Sequence, residues 1–400
     1  MQRVLEDIRV LDFGRFIACP YCGMILADMG AEVIRIDRPG GEEDRTVGLL
    51  GPNGENVSYP SYARNKKGVT LNLLGEKADQ GKEVLTDLVR ESDAVIHNFS
   101  PYAAQLMGLD YESLIAIKPD IILTAISCFG SDGPYSHRTG FDFIAQAMSG
   151  CMALGGYPDK PPVRAYMNPI DYSTAICAAL GTVLALRHRD KTGEGQMVDL
   201  ALLQTAVSFA TPALAEAEVL GRLRPLIGTR VPYVGPSDLF PCKDGWVFIA
   251  TIMDTLWKRL CRVIGHEELI DDPQLQSDLH RYENREKIDP LIAQWTAERT
   301  MNEVMDKMEE ARIPCGPYLG LDQVSKDPHV QARRMIEYVD MEVPGLENLP
   351  ICGMPVKLSR TPGRIERRAP RVGEHNHEIY GELLGFDDQR MDELRSHGVI

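Results

Sequence analysis

The sequence is short of positive charge. Its 400 residues carry 43 Lys and Arg against 58 Asp and Glu, a formal net charge of −15 at pH 7. A surface this acidic repels the phosphate backbones of DNA and RNA, so any anionic ligand needs a local basic pocket. Nucleic-acid binding is therefore disfavoured.

Long apolar runs are also scarce, and we expect no secretory leader. Glu6 and Asp7 stand where a secretory signal needs a basic start and an apolar run. The most apolar stretch, residues 175–186, is interrupted by Gly181 and Thr182, and it is shorter than the roughly 20 residues that span a bilayer. The nine cysteines are an odd number without regular spacing, which is typical of a reducing compartment. We expect a soluble, cytoplasmic protein that does not enter a membrane.

Alternating strand and helix patterns occupy the first third of the chain. Residues 8–13 are β-branched and mostly apolar, a helix opened by Pro20 ends at Gly30, and residues 31–37 indicate a second strand. Two strands joined by such a helix form a parallel βαβ unit. The pattern recurs with strands at 68–73, 93–97 and 121–127 and helices at 81–91 and 111–117. It predicts a doubly wound α/β domain.

Residues 141–203 are predicted to be helical, with one helix at 141–152 and an Ala-rich helix at 172–188. After a Pro-rich segment, residues 246–250 indicate a strand. The charged helical residues up to about 324 indicate a smaller α+β unit, and a last helix is predicted at 375–384.

Several catalytic and nucleotide-binding motifs are absent. The first βα turn, residues 14–20, lacks the G-x-G-x-x-G of dinucleotide-binding folds, and the chain has no Walker loop, G-x-S-x-G or H-E-x-x-H. Arg38 nevertheless follows the second predicted strand, where a guanidinium can stack on adenine or bind phosphate. The position of Arg38 indicates equally well a solvated side chain at a strand end with no role in binding.

Cys19-Pro20-Tyr21-Cys22 forms a C-x-x-C at a predicted helix start. Such a position lowers a thiol pKa in thioredoxin-like redox proteins. Those domains are much shorter than this chain, so two small core residues at a tight turn are the favoured interpretation. No second Cys or His pair follows at zinc-ligand spacing, and no metal site is expected.

Asp171 lies between a predicted loop and the Ala-rich helix. An aspartate there is most commonly an N-cap. The alternative is an anionic nucleophile held beside the positive end of the helix dipole. The sequence pattern by itself leaves both open.

A series of short motifs resembles the class III CoA-transferase family, also called CaiB/BaiF, which includes the formyl-CoA transferases. The motifs occur in family order along nearly the whole chain: VLDF at 10–13, LADMGAEVIRIDRPG at 26–40, NKKGVTLNL at 65–73, NFSP at 98–101, SCFG at 127–130, FDFIAQAMSG at 141–150, KTGEGQ at 191–196, KDGW at 243–246, IPCGP at 313–317, DPH at 327–329 and GEHN at 373–376.

The resemblance implies a transfer of CoA from an acyl-CoA to a free carboxylic acid, with CoA and acyl-CoA as substrates and no permanently bound cofactor. It places the catalytic aspartate of the family on Asp171, which would form a mixed anhydride and then an aspartyl-CoA thioester. By position, the CoA contacts of the family fall on Phe16, Ile17, Ala18, Arg38, Leu71, Asn98, Phe99, Thr139 and Asp142.

Some positions depart from the family pattern. Phe16 and Ile17 replace a Gln-containing turn, which indicates a different acyl group, and Leu106 replaces an arginine that reaches CoA in some members. Candidates to supply that cation are Lys66, Lys67 and Arg138. The glycine-rich loop of formyl-CoA transferases is not recognisable near residues 234–236.

Two alternative functions remain open beside CoA transfer. An α-methylacyl-CoA racemase of the same fold uses a His that follows Gly where this chain has Gly140-Phe141, and phenylalanine cannot move a proton. A non-catalytic CoA-binding protein would have no need of Asp171.

The resemblance also implies an architecture. It predicts a Rossmann-like large domain in residues 1–221, a linker at 222–241, a small α+β domain at 242–324, and a return linker with the C-terminal part of the large domain at 325–400. Family members form homodimers of interlocked rings, so a second copy of the chain is the expected partner.

Overall fold

The structure, a computed structural model, describes residues 3–400. The chain groups into two compact units. The first comprises the chain up to Cys151 together with Arg164–Thr211 and Gln331–Ile400. The second comprises Met152–Val163 and Pro212–Val330.

A six-stranded parallel sheet forms the centre of the first unit. Its strands are β1 (Arg9–Asp12), β2 (Glu32–Asp37), β3 (Lys67–Thr70), β4 (Ala94–His97), β5 (Ile122–Ser127) and β6 (Met197–Ala201). Their order is β3-β2-β1-β4-β5-β6, with every neighbouring pair parallel. This is the doubly wound order, in which ligands bind beyond the carboxyl ends of the strands. The predicted α/β fold with a parallel sheet is confirmed.

β6 is the strand that sequence patterns missed. It lies in the segment 141–203, which was expected to be helical, and it is only five residues long. A short apolar run of this kind does not distinguish a strand from a helix. Pairing with β5 decides the outcome, since all five residues of β6 are in register with that strand.

Helices of the α type occur throughout both units. They are α1 (Ala18–Asp28), α2 (Pro60–Ala63), α3 (Ala78–Arg90), α4 (Pro101–Met107), α5 (Tyr111–Ile117), α6 (Asp142–Met148), α7 (Pro169–Thr192), α8 (Leu202–Leu220), α9 (Asp254–Ile264), α10 (Asp278–Glu283), α11 (Arg285–Ala297), α12 (Met301–Glu310), α13 (Leu321–Val324), α14 (Pro328–Ala332) and α15 (Asp388–Ser396). Short 3₁₀ turns occur at Glu43–Arg45, Gly75–Lys77, Cys151–Leu154, Glu267–Asp271 and Pro273–Leu275, and a π-helical segment at His377–Leu383.

Two apolar layers cover the sheet. α1 and α7 pack together on one face, where the ring of Tyr21 meets that of Tyr172 edge-on at 4.8 Å between centroids. α3, α5, the π-helical segment and α15 contribute to the other core. The crossover connections of a parallel sheet place helices on both of its faces, so both faces are buried.

α7 is longer than the apolar stretch from which it was predicted. At 24 residues it is, within residues 3–400, the one helix long and apolar enough to cross a membrane by length and composition alone. Core helices of soluble proteins pass the same test, and 44% of its most apolar window is buried inside the structure. The apolar stretch at residues 175–186, expected to be too short to span a bilayer, is thus part of a longer helix that is partly buried in the core.

The second unit contains a three-stranded antiparallel sheet, β7 (Ser237–Cys242), β8 (Gly245–Ala250) and β9 (Cys315–Pro317). α9, α11 and α12 supply most of its apolar core, around the fully buried Trp257. The antiparallel pair β10 (Ile336–Val339) and β11 (Leu349–Cys352) belongs to the first unit.

The units differ from the predicted domains in several places. The predicted linker at 222–241 and the first residues of the predicted return linker, 325–330, group with the second unit. Residues 152–163 and 212–221 group with the second unit instead of the large domain. α8 runs unbroken through Pro212. The boundary between the units therefore falls inside a helix, where no predicted loop or linker marks it. The 152–163 segment is tied in its unit by a hydrogen bond from the Gly228 amide to the Gly156 carbonyl, 2.7 Å long.

Candidate active site

The first βα turn, between β1 and α1, is fixed by side chains from neighbouring loops. The Asn98 side chain accepts a hydrogen bond from the Arg15 amide and donates one to the Arg15 carbonyl, each 2.8 Å long. The Phe16 amide donates to Asp44 Oδ2 at 3.1 Å. Gly14 is required because a Cβ there would lie 2.5 Å from the Cys19 side chain. The turn is therefore held rigidly beyond the carboxyl end of β1.

Predicted CoA contacts lie around this turn. Ile17 precedes α1 and is half-buried, whereas Ala18, its first residue, is buried. The Phe99 ring stacks on His97, and the Arg15 guanidinium lies 5.0 Å from the Phe99 ring centroid. Arg15 was not predicted, although it directly follows the Gly14 that opens the turn.

Arg38 and Leu71 lie at the ends of two adjacent strands, β2 and β3, and have different surroundings. The Arg38 side chain is 51% exposed, and its Nη2 lies 3.0 Å from Glu43 Oε1. Leu71 is buried, and its amide donates to the Asp37 carbonyl at 2.8 Å. Arg38 is accessible to a ligand, while the Leu71 side chain is part of the core.

Lys66, Lys67 and Arg138 differ in their availability. Lys66 is buried, and its Nζ donates to Asp12 Oδ2 and to the Pro20 carbonyl, both at 2.7 Å. Lys67 pairs with Glu32 and Glu378. Arg138 is exposed and stacks 3.9 Å from the Tyr135 ring centroid. Of the three, Arg138 is the one whose charge faces solvent.

Asp171 lies in the first turn of α7, but it is not the N-cap. That position belongs to Asn168, and the helix starts at Pro169. The Ile170 and Asp171 amides donate to Asp142 Oδ2 at 2.8 Å and 3.0 Å. The N-cap interpretation of Asp171 is therefore wrong, because a carboxylate from α6 satisfies these amides.

Asp142 is 1% exposed, and both of its oxygens have partners inside the protein. Oδ2 accepts the two amides of α7, and Oδ1 accepts from Gln146 Nε2. Gln146 in turn accepts from the Ala165 amide at 2.8 Å and donates to the Ala165 carbonyl at 3.2 Å. This position differs from the expected CoA contact, because burial leaves no oxygen of Asp142 for a ligand.

Gln146 was not predicted as a site residue. Its signal in the sequence is the spacing of four from Asp142, which puts both side chains on one face of α6. Thr139, in contrast, lies in the exposed segment before this helix.

The Asp171 carboxylate is half-buried and, within residues 3–400, accepts no hydrogen bond and forms no ion pair. Burial, and after it the charge of Asp142, raises the pKa of Asp171 to about 7. Burial and the Asp171 charge together raise the pKa of the nearby Cys128 thiol to about 11. Asp171 is thus close enough to Cys128 to raise the pKa of that thiol, and among the described residues it pairs with no cation.

Cys19 and Cys22 are buried, and all nine cysteines of the chain are free. Burial, followed by the Asp12 charge, raises the pKa of both thiols, that of Cys22 to about 12. A redox dithiol needs the opposite shift. Both side chains belong to the apolar core between α1 and α7, which supports the packing interpretation of the C-x-x-C.

Comparison with known proteins identifies the family. The family model described as CoA-transferase family III matches residues 5–376. The chain belongs to CoA-transferase family III. It is therefore an acyl-CoA:carboxylate CoA-transferase, and the prediction from the sequence motifs is confirmed.

Relatives of this family III chain match it from end to end. Succinyl-CoA–D-citramalate CoA-transferase of Chloroflexus aurantiacus is 36% identical over 400 residues, covering 100% of this chain and 98% of the relative. Succinate–glutarate CoA-transferase of Agrobacterium fabrum is 33% identical, covering 95% of each chain. The crystal structure of a CAIB/BAIF family protein from Brucella suis has a TM-score of 0.83 and 29% identity, covering 96% of this chain and 100% of that one.

Proposed function

We propose that Asp171 is the nucleophile that carries CoA between the two acids. The observation that supports this role is a half-buried carboxylate without hydrogen bond or ion pair, at the start of a helix whose amides another carboxylate already satisfies. A carboxylate that only capped or paired would have a partner. Asp171 instead has free lone pairs and a restricted water supply.

The first half of the reaction loads CoA onto Asp171. A carboxylate oxygen attacks the thioester carbonyl, the C–S bond breaks, and CoA leaves as the thiolate from a mixed anhydride. The thiolate then attacks the Asp171 carbonyl carbon, the anhydride C–O bond breaks, and the donor acid leaves as its carboxylate. Asp171 now holds CoA as a thioester.

The second half repeats these steps in reverse. The acceptor carboxylate attacks the Asp171 thioester, the C–S bond breaks, and the thiolate attacks the acceptor carbonyl of the new mixed anhydride. The new acyl-CoA forms and the Asp171 carboxylate is restored. No proton is gained or lost, so no general acid or base is required. Water must be excluded, because it would hydrolyse each intermediate.

The pKa of about 7 sets the working range of this nucleophile. Only the ionised carboxylate attacks, so kcat/KM falls as the pH drops below about 7. A raised pKa also makes the carboxylate more basic, and therefore a better nucleophile once ionised.

In this proposal the CoA portion lies along the carboxyl ends of the first strands. Phe16, Ile17 and Ala18 line the first βα turn, and Arg38 meets the adenosine or its phosphates. Asn98 holds the turn in place through its two hydrogen bonds with the Arg15 backbone. Asp142 positions Asp171 without touching CoA.

A cytoplasmic homodimer completes the proposal. α7 exposes Ile176, Leu180 and Leu184, which are 53%, 59% and 60% accessible in the single chain. These residues are four apart and lie on one helix face. A second copy of the chain is the proposed cover. Sedimentation at decreasing concentration tests this assembly, and an active monomer would contradict it.

The catalytic proposal is tested by Asp171→Asn. The variant should lose CoA transfer, with succinyl-CoA as a first donor because it is named in one relative, while it still folds and binds CoA. Wild type treated with acyl-CoA and then hydroxylamine should give an aspartyl hydroxamate in the peptide containing residue 171. Asp142→Asn, which alters the neighbouring carboxylate, is the matched control and should still be labelled. Turnover by Asp171→Asn together with unlabelled wild type would refute this role.

A further inference from the structure

Three phenylalanines, Phe16, Phe141 and Phe143, form an aromatic patch in the first unit. The Phe16 and Phe141 rings meet edge-on with centroids 5.6 Å apart, and Phe141 stacks with Phe143 at 5.7 Å. These separations are in the range of attractive ring pairs. Phe141 and Phe143 are nonetheless 49% and 45% exposed, so the patch presents ring surface to the space outside α6.

The patch adjoins the start of α7. Phe141 directly precedes Asp142, whose carboxylate accepts the Asp171 amide. The residue before it, Gly140, lies against Cys128, since a Cβ there would stand 2.4 Å from the Cys128 sulfur. That thiol is near enough to Asp171 for the carboxylate charge to raise its pKa. The rings therefore share one small region with the proposed nucleophile.

Phe16 occupies the patch in an unfavourable backbone conformation. Its φ is 63°, in the left-handed region that a bulky side chain rarely adopts. The hydrogen bond from the Phe16 amide to Asp44 and the two hydrogen bonds between the Asn98 side chain and the Arg15 backbone hold it there. A strained residue at a ligand site points to a role in that site.

Three arginines in the segments that carry the patch or adjoin it, Arg15, Arg138 and Arg164, already contact other groups. Arg15 pairs with Glu42 at 2.9 Å and lies over the Phe99 ring. Arg138 stacks on Tyr135, and Arg164 donates to the Ala165 and Tyr166 carbonyls. A dicarboxylic acyl group would need one of the two exposed arginines to turn towards its distal carboxylate.

We propose that the aromatic patch binds the acyl group of the CoA thioester and that the preferred acyl group is apolar and aromatic. The inference rests on the proposed role of Asp171, because the acyl carbonyl must lie at that carboxylate. An aryl ring beyond the carbonyl would meet Phe141 and Phe16 in the same stacked and edge-on arrangements that the patch uses internally.

Isotope exchange tests the acyl preference without knowledge of the natural acceptor. Each of phenylpropionyl-CoA, butyryl-CoA and succinyl-CoA is incubated with its own isotope-labelled free acid, and the labelled thioester is followed by mass spectrometry. Butyryl and succinyl groups have the same chain length and differ by a methyl in place of a carboxylate. We expect kcat/KM to be at least about tenfold higher for phenylpropionyl-CoA than for succinyl-CoA, with butyryl-CoA between them.

The possible failures are distinguishable. Fastest exchange with succinyl-CoA would overturn the aromatic preference and leave transfer on Asp171 intact. An absence of exchange with all three thioesters, together with no aspartyl hydroxamate, would refute the proposed function and the inference with it.

A variant of the patch locates the effect. Phe141→Ala should lower exchange of phenylpropionyl-CoA about tenfold and change that of succinyl-CoA less than about twofold. Trp246→Ala is the matched control, because Trp246 on β8 is 48% exposed and lies outside the patch; it should change neither. An equal loss for all three thioesters after Phe141→Ala would place the ring against the shared CoA portion and overturn the proposal.

Discussion

Asp12 and Asp142 are both buried carboxylates that bind backbone amides, yet their surroundings give them different effects. Asp12 accepts from the Gly14 amide at 2.8 Å and from the Lys66 ammonium at 2.7 Å. Asp142 accepts only uncharged donors, the amides of Ile170 and Asp171 and the side chain of Gln146. Asp12 is thus paired with a cation, whereas Asp142 has only uncharged partners and its charge raises the pKa of Asp171. The comparison shows that two carboxylates with the same burial differ in their electrostatic surroundings according to whether a cation is among their partners.

Removal of Lys66, the cation paired with Asp12, should have the largest effect on stability. Lys66→Met leaves Asp12 buried without its counter-charge, so we expect the free energy of unfolding in urea to fall by about 3–5 kcal/mol. Lys67→Met is the control, because the partners of Lys67, Glu32 and Glu378, are 28% and 39% exposed, so solvent screens the lost pairs and the cost should be only about 1 kcal/mol. A double variant Asp12→Asn with Lys66→Met should be more stable than Lys66→Met. Equal effects at positions 66 and 67 would contradict this account.

Two variants of Asp142 distinguish its positioning of Asp171 from the effect of its charge on the pKa of Asp171. Asp142→Ala leaves the Ile170 and Asp171 amides without their acceptor, so kcat/KM should fall about 100-fold through misplacement of the proposed nucleophile, Asp171. Asp142→Asn keeps an acceptor but removes the charge that raises the pKa of Asp171. Its activity at pH 8 should stay within about tenfold of wild type, and the acid limb of its pH profile should move to lower pH. An unmoved limb would mean that Asp142 is only structural.

The raised pKa of Asp171 also makes stability depend on pH. Because the folded pKa is about 7 and the ordinary value is 3.8, the folded state holds the proton more tightly than the unfolded state between these values. This carboxyl therefore stabilises the fold less as the pH rises through that window. The Tm of Asp171→Asn relative to wild type should increase from pH 4 to pH 8. Asp132→Asn, at an exposed aspartate, should show no such trend, and a constant difference for Asp171→Asn would contradict the shift.

Arg38 should give the smallest effect, because the proposed function assigns it to CoA binding and not to the reacting groups. Its side chain is half-exposed, so Arg38→Ala should raise the KM for acyl-CoA about fivefold, with kcat within about twofold of wild type. Arg38→Lys should recover part of the loss. Steady-state kinetics with varied acyl-CoA measure both constants. An unchanged KM would show that Arg38 is a solvated residue at the end of β2.

The sequence predicted those parts of the molecule that depend on local pattern. The strands β1, β2, β4 and β5 follow apolar β-branched runs, and the aspartate at the start of the Ala-rich helix was recognised with its alternatives. The role of Asp142 could not be predicted, because its partners Ile170 and Asp171 are almost thirty positions away and no motif records which amides it meets. The burial of Lys66 was hidden for the same reason, since Asp12 and Lys66 are brought together by folding.

Two side chains of α6, Asp142 and Gln146, also fix the backbone around Asp171 independently of residues 152–163. Gln146 grips the backbone at Ala165, and Asp142 grips it at Ile170 and Asp171. The excursion of residues 152–163 into the second unit ends just before these anchors. A change within this segment leaves the hydrogen bonds of Gln146 and Asp142 to the backbone at Ala165, Ile170 and Asp171 in place. Variation in this segment is therefore a route by which the second unit could diverge without disturbing the reacting atoms.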